Sequence, residues 1–119
     1  MGLHYRKLTV WRKAMDLSKE IYKLAPMLPK EEVYGIRSQL TRAVTSIPAN
    51  IAEGWARGSV AQRAHYLAIA QGSLAETETF LTICEELDWF PNFKTVDARN
   101  LITEVSKMLT SLRGKLAES

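Results

Sequence analysis

The sequence is short of the residues that usually carry site chemistry. Its 119 residues hold one cysteine, Cys84, and two histidines, His4 and His65. A lone cysteine excludes an intrachain disulfide, and no Cys/His cluster has zinc spacing. Neither histidine follows a glutamate by three residues. The Glu-x-x-His pairs that hold di-iron centres in helical bundles are therefore missing. Cys84 has no histidine base at helical spacing, and no glycine-rich phosphate loop follows a strand. These absences argue against an enzyme and imply no metal and no cofactor.

Long apolar runs are missing as well. The longest uncharged stretch, Ala64 to Ala75, is broken by His65, Gln71, Gly72 and Ser73. It falls short of the about 20 apolar residues a membrane span needs. Arg6, Lys7, Arg12 and Lys13 flank no apolar core of a signal peptide, so a cytoplasmic protein is expected. No segment alternates with period two over strand length, which excludes half-buried strands.

Helical periodicity fills the chain instead. Val10, Ala14, Leu17, Ile21, Leu24 and Leu28 alternate steps of four and three and share one helix stripe. Thr9 is the expected N-cap, and Pro26 and Pro29 close the segment. A second stripe runs Val33, Ile36, Leu40, Val44, Ile47, Ile51, Trp55, its start favoured by Glu31 and Glu32 at the positive end of the dipole. After Gly58, Ser59 with Gln62 forms a capping box for a third helix. That helix carries Leu67, Ala70, Leu74, Leu81 and Cys84, with a second row of Tyr66, Ile69, Phe80, Ile83 and Leu87 that predicts a wide buried face. A fourth helix is expected from near Thr95, carrying Ala98, Leu101, Val105, Met108, Leu112 and Leu116. Four helices with short loops imply an all-α, up-down-up-down antiparallel four-helix bundle, one domain over residues 1–119.

The formal charge of +3 is unevenly spread. Residues 1–30 hold seven Lys/Arg against Asp16 and Glu20, whereas residues 58–90 hold Arg63 against five acids. On the first helix Arg12, Lys19 and Lys23 share a stripe, with Lys13 adjacent. Such a ridge is either a solvated outer face or a surface for phosphates, widened by Arg42, Arg57 and other basic residues if several copies assemble.

The second helix contains a proline and a row of polar residues. Pro48 removes the hydrogen bond to the Val44 carbonyl, at a cost of roughly 3 kcal/mol in an ordinary helix interior. Gln39, Arg42, Ser46, Asn50, Glu53 and Arg57 form a continuous polar row, with Glu53 and Arg57 spaced for an ion pair. The row fits packing against another helix or subunit, which also offers the Val44 carbonyl a donor, or a ligand or nucleic-acid site. Gly72 suggests close helix approach, and Glu76 is expected to be partly buried beside Arg42 or Arg57. Trp11, Trp55 and Trp89 fit core or interface anchors better than stacking platforms.

Gln39-Leu40-Thr41-Arg42-Ala43, Ser46-Ile47-Pro48-Ala49-Asn50-Ile51-Ala52-Glu53-Gly54 and Tyr66-Leu67-Ala68-Ile69-Ala70-Gln71-Gly72-Ser73-Leu74 with Glu76 resemble the bacterial four-helix-bundle proteins of the rRNA intervening-sequence family. Leu8-Thr9-Val10-Trp11 and Glu32-Val33-Tyr34-Gly35 extend the resemblance towards the N-terminus. Thr77 stands where the family has leucine. Similar proteins are the accessory variability determinants of diversity-generating retroelements, rings of five bundles that bind nucleic acid and a reverse transcriptase. The resemblance thus implies a homopentamer with a basic surface for RNA or DNA. In the alternative it is a scaffold that docks a protein partner such as a reverse transcriptase. Gln39, Ser46, Asn50, Glu53 and Trp55 are the expected subunit-interface or polar-stripe residues.

Overall fold

The computed structural model describes residues 4–119. Four helices account for most of them: α1 (Thr9–Leu24), α2 (Ile36–Arg57), α3 (Val60–Glu86) and α4 (Asn92–Ala117). No strand occurs among the described residues. Helix α1 packs between α2 and α4, and α3 closes the ring against both. The two-residue link Gly58-Ser59 reverses α2 into α3, and the short link at residues 87–91 reverses α3 into α4. The result is an all-α bundle, 46 × 25 × 20 Å along its principal axes.

The helix ends follow local chemistry, with two corrections to the sequence reading. Thr9 is the first helical residue of α1, and Leu8 occupies the N-cap without a side-chain bond. A 3-10 turn at Tyr5–Lys7 feeds α1 and brings Leu8 against the core, so an apolar contact stands where a hydroxyl cap was expected. Glu31 and Glu32 belong to their own 3-10 turn, Lys30–Glu32, ahead of α2. Glu32 still serves α2 from outside, because its Oε1 accepts from Ile36 N at 3.3 Å. Val33 therefore falls off the stripe and is exposed. The Ser59 cap forms as expected, its Oγ accepting from Gln62 N at 3.1 Å. Gly58 ends α2 at φ +86°, a left-handed conformation that costs glycine little.

One core draws on all four helices. Leu17, Ile21, Leu40, Val44, Ile47, Ile51, Leu67, Leu81, Val105 and Leu109 are fully buried, and Phe90 plugs one end. The predicted stripes of α1 and of α2 from Leu40 onward are all buried. The second row of α3 is not: Ile69, Ile83 and Leu87 are exposed, and Tyr66 and Phe80 half-buried. Its buried face is narrower than the apolar pattern suggested, because α3 meets only α2 and α4.

Pro48 is compensated inside the chain. The buried Ser18 hydroxyl of α1 lies 3.3 Å from the Val44 carbonyl oxygen and 3.1 Å from its own Ala14 carbonyl. The single hydroxyl proton is shared between the two carbonyls, so the orphaned acceptor gains part of a hydrogen bond from the neighbouring helix. Ser46 and Asn50 of the polar row sit in the α2–α3 seam, where the Ser46 and Ser73 hydroxyls bond at 2.8 Å. Asn50 Nδ2 donates to Ser46 Oγ at 2.8 Å and to Ser46 O at 2.7 Å.

The close approach of α2 and α3 occurs at Gly54, not at Gly72. A Cβ on Gly54 would stand 3.0 Å from Tyr66 Cβ and 3.3 Å from Arg63 Cα, whereas one on Gly72 would meet nothing within 4 Å. Glu76 is exposed rather than partly buried. The charged contact of α3 is with α4 instead. Arg99 bonds Glu85 through Nε and Nη2, reaches Glu78 at 3.6 Å and donates to Thr82 Oγ1 at 2.7 Å. Thr95 Oγ1 donates to Glu85 Oε2 at 2.6 Å. The Arg99 hydrogen bond holds the Glu85 carboxyl below the usual carboxylate range.

Candidate nucleic-acid interface

The topology sorts charge by end. One end of the bundle gathers the start of α1, the α2–α3 hairpin and the end of α4. With each helix divided near its midpoint, that half (residues 4–16, 47–72 and 105–119) holds nine Lys/Arg and three Asp/Glu. The opposite half (residues 17–46 and 73–104) holds seven Lys/Arg and ten Asp/Glu. The net charges are +6 and −3, so a chain of modest total charge is strongly dipolar.

Three arginines at the basic end lie over aromatic rings. Arg63 sits 4.9 Å from the Trp55 ring centroid, Arg57 5.3 Å from Tyr66 and Arg12 5.5 Å from Trp11. His4 stacks on Tyr5, which meets the Trp11 ring edge-on at 5.3 Å. A guanidinium held over a ring is engaged through its face and retains in-plane N–H donors suited to phosphate. The buried Nε of Arg63 has no hydrogen-bond partner, so its ring contact is what holds that part of the group in place. Beside these residues, a cleft of about 490 Å³ between α1 and α4 is lined by Val10, Met108, Leu112, Lys107 and Lys115.

The expected basic residues divide between this end and other surfaces. Arg12 and Arg57 lie at it, and Arg57 Nε also bonds Glu53 Oε2 at 2.9 Å as the spacing implied. Lys13, Lys19 and Lys23 line a groove between α1 and α4 that also presents Asp16, Glu20, Asp97 and Glu104. There Lys13 pairs with Glu104 at 3.1 Å and Lys23 with Glu20 at 3.0 Å. The ridge is thus interleaved with acids, and its exposed pairs are each worth about 0–1 kcal/mol. Arg42 is exposed on α2 in the acidic half. Of the other polar-stripe residues, Gln39 and Glu53 are exposed and Trp55 belongs to the core.

Arg63, an isolated base in an acidic segment of the sequence, joins the basic end only through the fold. The signal was the topology itself, because an up-and-down bundle places residues 4–16, the 57–63 hairpin and the C-terminal turns side by side.

Among the described residues no catalytic groups converge. Burial pushes the Cys84 thiol up to about 11, with Glu32 and Glu85 adding to the shift, so the thiol is protonated and inert at neutral pH. No group of three or more His, Cys, Asp or Glu able to hold a metal occurs among the described residues. No described helix is long and apolar enough to cross a membrane.

Fold and surface together define an all-α bundle with a basic, arginine-on-aromatic end. The sequence model of the 23S rRNA-intervening sequence protein family matches residues 6–111, and the chain belongs to that family. It is similar to a crystal structure of a protein of unknown function from the S23 ribosomal protein family of Bacteroides thetaiotaomicron VPI-5482. The two share 28% identity and a TM-score of 0.80, covering 88% of this chain and 95% of the other. No curated protein matches the chain at significant similarity.

Proposed function

We propose that the protein is a non-enzymatic, cytoplasmic, homo-oligomeric module that binds RNA or DNA backbone. The observation that carries this reading is the seating of Arg12, Arg57 and Arg63, each over its own aromatic ring, at an end with nine Lys/Arg and three acids. Phosphate contacts of this kind give affinity without reading bases. Lys13, Lys19, Lys23 and Arg42 are secondary contacts in the proposal, since acids surround the three lysines and Arg42 lies in the other half.

Assembly, most simply as the pentamer that the resemblance implies, brings several basic ends together. The exposed edge of the α2–α3 face supports a subunit contact. Gly72 costs about 1 kcal/mol in mid-helix relative to alanine, yet its own chain places nothing near it. Exposed Ile69 and the outer residues Gln39 and Glu53 lie on those same two helices.

Light scattering combined with nucleic-acid content after low-salt purification tests both parts. A multiple of the 13.4 kDa chain mass that carries nucleic acid, released by high salt, is expected. A monomer free of nucleic acid contradicts the proposal.

A further inference from the structure

Exposed apolar side chains gather at the end opposite the arginines. Ten large hydrophobic residues are exposed among the described residues, and eight of them fall in the acidic half. Tyr34 is 96% exposed in the connection before α2, and Phe93 is 75% exposed on the first turn of α4. Leu87 and Val96 flank Phe93 along the chain, and Met27 ends the 3-10 turn that follows α1 at the same end. Topology explains the gathering, because the α1–α2 and α3–α4 connections both turn there. Packing does not account for it, since these side chains contribute nothing to the core. Interaction surfaces are one of the few settings in which soluble proteins keep large apolar groups clustered in water.

The charge around these residues restricts what can bind them. Glu31, Glu86, Asp88 and Asp97 are exposed at this end, and none belongs to an ion pair among the described residues; the exposed Lys30 and Lys94 stand among them, so the surface stays acidic on balance. Nucleic acid and anionic lipid are repelled by such a surface. The basic end of a second copy brings cations, but among the described residues the basic half exposes only Val60 and Ile69 as large hydrophobics, so it offers little to cover Tyr34 and Phe93.

We infer that this acidic, apolar end docks a segment of another protein that carries lysine or arginine beside its own apolar face, such as a cationic amphipathic helix. Exposed aromatic rings also accept cations over their faces, as Lys94 already does over Phe93 at 5.8 Å. The bundle is 46 Å long against a screening length of about 8 Å at physiological salt, so the two ends act as independent electrostatic sites. A nucleic acid at one end and a cationic protein segment at the other can be held together without competing. This inference does not depend on the nucleic-acid reading.

The test uses the intact chain with two labelled peptides, an amphipathic helix of leucine and lysine and its counterpart of leucine and glutamate, followed by fluorescence anisotropy at physiological salt. Saturable binding of the lysine peptide alone is expected. The double variant Tyr34→Ser, Phe93→Ser should weaken it at least about tenfold while circular dichroism stays unchanged, a loss of about 1.4 kcal/mol or more. Arg12→Glu with Arg57→Glu, at the far end of the bundle, should leave peptide binding as it is. Equal binding of both peptides, no saturable binding, or retention by the double variant overturns the inference. So does dissociation of a native oligomer by Tyr34→Ser, Phe93→Ser in light scattering, because the patch would then be a contact between copies.

Discussion

The Ser18 hydroxyl of α1 lies 3.3 Å from the Val44 carbonyl oxygen of α2, the acceptor that Pro48 deprives of its helical donor. A proline inside α2 is thereby tied to a serine on the neighbouring helix. Ser18→Ala should destabilise the protein by about 1–2 kcal/mol, because a buried carbonyl loses its partner. In a Pro48→Ala background residue 48 regains an N–H for Val44, and the same Ser18→Ala change should cost less. Urea unfolding of the four proteins in this cycle measures the coupling. Equal costs in both backgrounds would show that Ser18 is not the compensating donor.

Gly54 and Gly72 lie on paired helices and should respond oppositely to alanine. At Gly54 the new methyl meets Tyr66 Cβ at 3.0 Å and Arg63 Cα at 3.3 Å. Overpacking there should cost about 1–3 kcal/mol despite the better helix propensity of alanine. At Gly72 the methyl has open space, so the monomeric fold should gain up to about 1 kcal/mol. If Gly72 lies against another copy, Gly72→Ala should also weaken assembly, which sedimentation reads separately from thermal unfolding. Stabilisation by Gly54→Ala would mean that the α2–α3 seam is looser than described.

The Arg99–Glu85 contact predicts a pH dependence with a definite sign. Arg99 holds the Glu85 carboxyl below its ordinary 4.5, so the native state favours the ionised form. Its contribution is fully present above about that pH and is lost as pH falls through the depressed native value. Arg99→Gln should therefore cost about 1–2 kcal/mol at pH 7 and progressively less below pH 4.5. Denaturant midpoints at a series of pH values check this, and a cost that does not change with pH would contradict it.

Cys84 should be unreactive in the folded protein. Its buried thiol, pushed up to about 11, presents almost no thiolate at neutral pH. A thiol-specific chromogenic reagent should label it only at the rate of unfolding or local opening. Labelling as fast as a free peptide cysteine would show the site to be open.

Much of the fold was legible because the four-and-three spacing of apolar residues is a direct consequence of helix geometry. The stripe from Val10 to Leu28 and the one from Leu40 to Trp55 are both buried as read. Burial failed where periodicity cannot say how many neighbours a helix has. Ile69, Ile83 and Leu87 repeat at helical spacing, yet they face outward because α3 has two partners in the bundle. Glycine misled for a related reason: spacing shows that Gly54 and Gly72 are helical, but only the crossing of α2 and α3 shows which one is touched. The candidate site was half legible. Arg12 and Arg57 stood out individually, but the seating of Arg57 over Tyr66 and of Arg63 over Trp55 arises only where α2 and α3 pack, and Arg12 reaches the same end only through the bundle topology. The acids facing Lys13, Lys19 and Lys23 come partly from α4, which the pattern of α1 alone could not reveal.

The salt dependence of nucleic-acid binding tests the central claim most directly. Affinity for a labelled single-stranded RNA of about 20 nucleotides, and for the DNA of the same sequence, should fall steeply as salt rises, with a slope of about −0.7 per phosphate contact on single strands. Arg12→Glu with Arg57→Glu should weaken binding at least about tenfold and flatten the slope, whereas Lys19→Glu with Lys23→Glu, in the acid-interleaved groove, should do less. Binding that ignores salt, or that survives the reversal at the basic end while failing with the groove variant, would contradict the account.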